Sequence, residues 1–138
     1  MVYILIVDDD EDDRDLFCDA VNTVDSSIEC ITARNGEEAL EGLKSRILPT
    51  PDIIFLDLNM PRLNGMQCLR ALKKDPLFEH IPVVIYTTSK MKEDKKAAIQ
   101  AGAADFVTKP TSLKELCETI AGTLVDQGIL AHLPPTDC

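Results

Sequence analysis

The sequence lacks any hydrophobic run of the roughly 20 residues that a membrane-spanning helix needs. Its start, MVYILIVDDD, also lacks the basic stretch and small-residue cleavage site of a secretory signal, and instead predicts a strand that begins almost at once. With 138 residues, 45% of them hydrophobic, the chain suits one domain with a single core. We therefore expect a cytoplasmic protein without a membrane partner.

Positively charged residues are scarce. The chain has 14 Lys and Arg against 24 Asp and Glu, a net charge of −10. Nucleic acids and anionic membranes repel such a surface, so neither is an expected partner. Basic protein surfaces, or metal cations held in an acidic cleft, suit this charge better.

Paired cysteine motifs are absent as well. The five cysteines, at positions 18, 30, 68, 117 and 138, include no Cys-x-x-Cys pair and no Cys/His cluster. Their spacing predicts neither a zinc site nor a disulfide framework. We expect reduced cysteines that pack as small hydrophobic residues, as is usual in the cytosol.

Short apolar runs alternate with segments of helical periodicity along the chain. Strands are predicted at 2–7, 27–33, 53–56, 81–87 and 104–110, and helices at 10–24, 37–46, 64–75, 90–101 and 112–126. Ser112 is expected to cap the last helix, with Glu115 completing a capping box. The alternation predicts an α/β fold, a parallel sheet with helices on both faces.

Polar residues of three kinds follow the predicted strands. The first strand ends in Asp8, Asp9 and Asp10, the third in Asp57, the fourth in Thr87 and the fifth in Lys109. The carboxyl ends of parallel strands meet at one edge of the sheet, where ligands of such folds bind. Clustered carboxylates there favour a hard divalent cation such as Mg²⁺, and a nearby hydroxyl and ammonium suit a phosphoryl group. Asp57 is therefore a candidate nucleophile that forms an acyl phosphate.

Four segments carry a resemblance to a known family. VDDD at 7–10, IIFLDLNMPRLNG at 53–65, VVIYTTS at 83–89 and FVTKP at 106–110 resemble, in this order and spacing, the receiver domain of bacterial two-component response regulators. The resemblance covers about residues 2–126. Within it, DLNMPRLNGM at 57–66 and LFEHIPVVIYTTS at 77–89 resemble the stand-alone, single-domain regulators that partner bacterial phytochromes and related kinases. It implies a flavodoxin-like (βα)5 fold with strand order 2-1-3-4-5.

The resemblance also implies how the acids would work. Asp57 would accept a phosphoryl group from a sensor histidine kinase or a histidine phosphotransfer protein. Mg²⁺ (or Mn²⁺) would bind to Asp9, to Asp57 and to the backbone carbonyl of Asn59, with Asp8 contributing through water. Beyond promoting its own phosphorylation and dephosphorylation, the chain would not be an enzyme.

Further roles follow for residues on the last two strands. Thr87 would hydrogen-bond one phosphoryl oxygen and Lys109 would pair with another. Phe106 stands at the switch aromatic position of the family and would move inward as Thr87 swings toward the phosphoryl group. The peptide bond between Lys109 and Pro110 resembles a cis bond of the family.

The domain organisation implied is a receiver at 1–126 followed by a tail at 127–138 without an output domain. Such a regulator would signal through contact with a downstream target protein or through phosphorelay. The apolar segment at 128–133 would cover the last helix, and it also suits self-association as a homodimer.

Other interpretations stay open at this point. Asp8 to Asp10 also suit a plain helix N-terminus, and Phe106 suits ordinary packing. The whole chain could be an adaptor that never needs phosphorylation, although the acid, Thr and Lys set is complete. A hydrolase that passes through an aspartyl phosphate would need an acid two positions after Asp57, where this chain has Asn59.

Overall fold

In the computed structural model, which describes residues 1–134, five strands alternate with five helices. The strands are β1 (Tyr3–Val7), β2 (Glu29–Ala33), β3 (Ile53–Leu56), β4 (Val83–Thr87) and β5 (Asp105–Thr108). The helices are α1 (Glu11–Val24), α2 (Gly36–Lys44), α3 (Gly65–Lys74), α4 (Lys92–Gln100) and α5 (Leu113–Asp126). The predicted alternation is confirmed, with boundaries shifted by a few residues.

All strand pairs are parallel, and the strands lie in the order β2-β1-β3-β4-β5. This confirms the expected flavodoxin-like fold. The direction in which successive strands are added reverses at β1, which pairs with β2 on one side and with β3 on the other. In register, Val7 lies opposite Leu56, so the residues that follow these two strands emerge side by side.

The sheet separates two hydrophobic layers. Along β1, Leu5 and Val7 face one layer and Ile4 and Ile6 face the other, as the two-residue period of a strand requires. One layer, here called the α1–α5 layer, contains Phe17, Ala20, Val21, Val24, Leu116, Cys117, Ile120, Ala121 and Leu124. The other, the α2–α4 layer, contains Ala39, Leu43, Cys68, Leu69, Leu72 and Ala98 from its three helices.

Side-chain caps begin four of the helices. Asp10 caps α1, and Ser112 caps α5 by accepting the N–H of Glu115 at 3.1 Å. The predicted return bond from the Glu115 side chain is wrong: it does not occur in the described part of the chain, because that exposed carboxylate can be solvated by water. A complete capping box occurs instead at α3, between Asn64 and Gln67.

Among the described cysteines, the expectation of the reduced form is wrong for Cys18, Cys30 and Cys117, which are disulfide-bonded. Cys18 on α1 and Cys30 on the edge strand β2 form a disulfide, with their Cα atoms 5.6 Å apart. Their separation of 12 residues along the chain is not a recognisable signal, since the pairing arises only when α1 packs across β2. Cys68 agrees with the expectation: it is a free thiol in the core, where burial raises its pKa to about 12.

Two further expectations concern the C-terminal part. Ile129 and Leu130 pack against the α1–α5 layer, as predicted for a segment that covers the last helix, whereas 135–138 lie outside the described residues. The cis bond expected between Lys109 and Pro110 is wrong, since residues 1–134 contain no cis peptide bond. The trans form is the lower-energy isomer of an X–Pro bond.

No helix within 1–134 has the length and apolar character needed to cross a membrane.

Candidate functional site

Two buried carboxylates stand side by side at the ends of β1 and β3. The backbone continues the sheet for one residue past each strand: the Asp57 N–H donates to the Val7 carbonyl at 3.0 Å, and the Asp8 N–H donates to the Ala33 carbonyl at 3.1 Å. Asp8 and Asp57 are both buried, each directly after an apolar strand. The sheet register thus fixes both acids before any ligand is considered.

A third acid, Asp9, completes a cluster with them. One carboxylate oxygen from each of Asp8, Asp9 and Asp57 can be chosen so that all lie within 4.8 Å of one another. Asp9 is exposed, so the cluster opens to solvent on that side. Three carboxylate oxygens at this spacing are the donors that Mg²⁺ and Mn²⁺ prefer, and the residues present fit such an ion.

Asn59 is placed close to this cluster. Its N–H donates to Oδ1 of Asp57 at 3.2 Å, which orients the carboxylate that follows β3. The Asn59 carbonyl as a metal ligand stays a prediction.

Lys109 reaches the acids from the end of β5. Its ammonium Nζ lies 2.7 Å from Asp8 Oδ2, 2.8 Å from Asp13 Oδ2 and 3.2 Å from Asp57 Oδ2. The lysine side chain is largely buried, at 10% exposure. The predicted convergence of Asp8, Asp57 and Lys109 is therefore what the structure contains.

Asp13 is the site residue that the sequence analysis missed. It lies in the first turn of α1, three residues after the cap Asp10, where acids are common for their interaction with the helix dipole. The available signal was this spacing, which brings residues 10 and 13 to the same side of the helix as the end of β1. Glu11 and Asp12 share the same turn, so composition alone did not distinguish them.

The charges of the cluster are visible in two pKa shifts. Burial raises the pKa of Asp8 above its ordinary value, and the hydrogen bond from Lys109 only partly offsets this. Burial alone would lower the pKa of Lys109, but its hydrogen bonds to Asp13 and Asp8 outweigh burial and raise it. One ammonium among four carboxylates leaves an excess of negative charge, which attracts a cation.

An aromatic ring flanks the ammonium. Nζ of Lys109 lies 5.6 Å from the ring centroid of Tyr86, on the penultimate residue of β4. Burial raises the pKa of the Tyr86 hydroxyl to about 12, so the ring stays neutral beside the lysine. The ring face supplies additional electrostatic support for the cation.

Thr87 and the loop after it connect the site to α4. Thr87 is fully buried at the end of β4, and its Oγ1 accepts the Ser89 N–H at 3.4 Å. The Ser89 hydroxyl donates to Asp94 on α4, and Thr108 Oγ1 donates to the Ser89 carbonyl at 3.2 Å. Hydrogen bonds therefore run from the end of β4 to the first turn of α4 and to β5.

Phe106 lies on β5, opposite Ile85 in register. It is half-buried and packs against the α2–α4 layer. The structure places it on the strand beside the one that ends in Thr87, as the switch pairing requires, and the movement itself stays a prediction.

Gly65 brings α3 against the loop that follows Asp57. Its N–H donates to the Leu58 carbonyl at 3.1 Å. A Cβ atom built on Gly65 would overlap the Asp57 carbonyl oxygen and lie 2.6 Å from the Leu58 Cα. Only glycine allows this close approach of two backbones, so this residue also shapes the site.

Comparison with known proteins agrees with this geometry. The chain is 35% identical to the polar-differentiation response regulator DivK of Brucella anthropi over 123 residues, which is 89% of this chain and 96% of that one. Among solved structures it is similar to the Mn²⁺-bound response regulator Rcp1, with a TM-score of 0.83, 30% identity and coverage of 98% of this chain and 100% of that one. It is also similar to the phosphorylated cyanobacterial phytochrome response regulator RcpA, with a TM-score of 0.85, 28% identity and coverage of 98% and 99%.

The family described as the response regulator receiver domain matches residues 4–121. This range contains the whole acid cluster and its lysine, namely Asp8, Asp9, Asp13, Asp57 and Lys109. The chain belongs to the response regulator receiver domain family.

Proposed function

We propose that this chain is a response regulator that accepts a phosphoryl group on Asp57 from a sensor histidine kinase or a histidine phosphotransfer protein. One observation carries the proposal: Asp57 Oδ2 lies 3.2 Å from Lys109 Nζ, inside a cluster of three carboxylates spaced for a divalent cation. A carboxylate nucleophile, an ammonium and a cation site are the parts that transfer to aspartate requires.

In the proposed reaction, a carboxylate oxygen of Asp57 attacks the phosphorus of a phosphohistidine. The new O–P bond forms as the P–N bond breaks, and the electron pair of that bond returns to the imidazole nitrogen. Lys109 donates to one phosphoryl oxygen and the Thr87 hydroxyl to another, which neutralises the charge that gathers there. Asp8, Asp9, Asp57 and the Asn59 carbonyl would hold Mg²⁺ or Mn²⁺, which supplies further positive charge to the phosphoryl oxygens when bound.

The same residues support a change of partner on phosphorylation. Thr87 moving toward the phosphoryl group would break its bond with the Ser89 N–H, and Ser89 is hydrogen-bonded to Asp94 at the start of α4. Phe106, half-buried beside this loop, would move inward into the space released. The surface formed by α4, β5 and α5 would then present two alternative shapes to a downstream target protein.

We propose a cytoplasmic protein whose receiver occupies 1–126 and whose residues 127–138 form a tail. Signalling would proceed by protein contact or phosphorelay, without nucleic acid or membrane, and self-association through the tail would be compatible with it. Its catalysis would be limited to its own phosphorylation and dephosphorylation.

Incubation with acetyl phosphate and Mg²⁺, followed by intact mass spectrometry, tests the acceptor. The wild type should gain one phosphoryl group, about 80 Da, because phosphorylation of a carboxyl group is a net addition of HPO₃. The Asp57→Asn variant should gain nothing, and EDTA should abolish the wild-type adduct. Asp12→Asn, which removes an exposed acid near the site, is the matched control and should be labelled like the wild type.

An equal adduct on Asp57→Asn would exclude Asp57 as the acceptor. Absence of any wild-type adduct, together with absence of beryllofluoride binding, would contradict the proposed function and favour an adaptor that needs no phosphorylation.

Amide NMR spectra with Mg²⁺ and beryllofluoride, a phosphoryl mimic, test the switch. We expect shifts at Thr87, Phe106 and the first turn of α4, because the hydrogen bonds through Ser89 connect them. Mg²⁺ alone is the reference that removes shifts due only to the metal. Changes confined to Asp8, Asp9 and the residues beside Asp57 would rule the switch out.

A further inference from the structure

The site contains one acid that the proposed transfer does not use. Asp13 comes from α1 rather than from a strand end, and its Oδ2 lies 2.8 Å from Lys109 Nζ. An ammonium has three N–H donors. In this structure all three are directed at carboxylates, one each from Asp8, Asp13 and Asp57.

The three contacts are not equivalent in length. The bonds to Asp8 and Asp13, at 2.7 and 2.8 Å, are shorter than the bond to Asp57, at 3.2 Å. The ammonium is therefore held toward β1 and α1 and away from the proposed acceptor. A phosphoryl group on Asp57 would compete for a lysine that two other acids already hold closely.

The three acids also differ in how readily each can break its contact with Lys109. The side chains of Asp8 and Asp57 are 1% and 7% exposed, whereas that of Asp13 is 38% exposed. Backbone N–H groups hold the two buried acids in place. The Asp10 N–H donates to Asp8 Oδ1 at 3.0 Å, and the Asn59 N–H donates to Asp57 Oδ1 at 3.2 Å. Once its contact with Lys109 is broken, the part-exposed Asp13 carboxylate can be hydrated by solvent. A buried carboxylate that lost Lys109 would have neither an ion-pair partner nor hydration.

We propose that Asp13 is a releasable counter-ion of Lys109, which holds the ammonium while Asp57 is unmodified and gives it up to the phosphoryl group. This inference rests on the proposed function and adds a means of regulating the same site. Asp13 is a positioning residue that acts through Lys109. Because its bond is lost in the phosphorylated state, it weakens retention of the phosphoryl group and shortens the lifetime of that state.

Binding of beryllofluoride with Mg²⁺, measured by calorimetry, tests the proposal. We expect Asp13→Asn to bind roughly three- to fivefold more tightly than the wild type, the upper part of the range for one solvent-accessible ion pair. Asp12→Asn is the control, since it removes a carboxylate from the same helical turn and changes the net charge equally. It should bind within about twofold of the wild type, as is usual for an isolated surface charge.

A second readout follows the contact itself. In the wild type, the side-chain carboxyl ¹³C resonance of Asp13 should move toward that of an exposed aspartate when beryllofluoride is added to the Mg²⁺-loaded protein. The Lys109 ammonium resonance should shift in the same titration. A purely electrostatic effect of the Asp13 charge would change affinity without this release.

Equal affinity of Asp13→Asn and Asp12→Asn, weaker binding by Asp13→Asn, or an Asp13 resonance that beryllofluoride leaves unchanged would each overturn the proposal. These outcomes differ from failure of the proposed function, in which the wild type itself neither binds beryllofluoride nor takes a phosphoryl group from acetyl phosphate.

Discussion

Replacing Lys109 with methionine should lower the free energy of unfolding by about 3 kcal/mol at pH 7 in the absence of divalent metal, because removal of one member of a buried ion pair leaves the other uncompensated. The lysine and its partners Asp8 and Asp57 are 10%, 1% and 7% exposed at their side chains. Methionine keeps most of the length and apolar volume of the lysine. The decrease in the free energy of unfolding therefore measures the contribution of the lysine charge.

The stability lost in Lys109→Met should depend on pH, and the direction of this dependence follows from the pKa of Asp8. The pKa of Asp8 is raised by burial in the folded protein, and Lys109 is the group that opposes this shift. Without the lysine the pKa of Asp8 rises further, and a folded-state pKa above the unfolded one makes the ionised form destabilising. The deficit of Lys109→Met is therefore largest above the raised pKa of Asp8 and shrinks as the pH falls through it.

Urea unfolding at pH 7 and at acid pH, with EDTA and with Mg²⁺, measures these effects. Mg²⁺ should stabilise Lys109→Met more than it stabilises the wild type, since the cation compensates the same carboxylates. The control is Lys114→Met on the exposed side of α5, which should stay within about 0.5 kcal/mol of the wild type. Equal stability of the two variants would show that Lys109 is not the counter-ion on which the acids depend.

Replacing Gly65 with alanine should cost about 3 kcal/mol, at the upper end of what added volume in a packed site costs. The new Cβ would meet the Asp57 carbonyl oxygen and the Leu58 Cα, and backbone atoms cannot turn aside as a flexible side chain can. The start of α3 or the loop after β3 must move. Since that loop carries Asp57, the change should also weaken beryllofluoride binding.

Gly122→Ala provides the matched control. Gly122 lies inside α5, and a Cβ atom added there would meet nothing within 4 Å beyond its own helical turns. Alanine should therefore raise the free energy of unfolding by about 0.5–1 kcal/mol through its helix propensity. Chemical denaturation of both variants gives the comparison. Opposite signs are expected, and a Gly65→Ala variant as stable as Gly122→Ala would contradict the close packing of α3 against the acceptor loop.

Local patterns were sufficient to predict the sheet, the helices and most of the site. The apolar run at 2–7 and the acids that follow it are adjacent in sequence, and parallel strands bring their carboxyl ends together whatever the details of packing. Lys109 could be placed for the same reason, since it follows the last strand. The resemblance to receivers then suggested the roles of Thr87 and Phe106.

The features that were missed depend on contacts between distant segments. Asp13 and Lys109 are 96 residues apart in sequence, and only the angle at which α1 leaves β1 decides which first-turn acid reaches the lysine. The disulfide between Cys18 and Cys30 likewise depends on how α1 lies across β2. Neither the angle nor the packing is encoded in a short pattern around these residues.

The two layers of the fold differ in how much apolar contact would be lost if a helix moved. Four residues of α1 are buried, including Phe17, and the helix is also joined covalently to β2. The only buried residue of α4 within the described chain is Ala98, whose removal from the core costs about 1 kcal/mol. Helix α4, which is hydrogen-bonded to the loop after Thr87, therefore loses the least buried apolar contact when it is displaced. Rearrangement on its side of the sheet leaves the opposite layer intact.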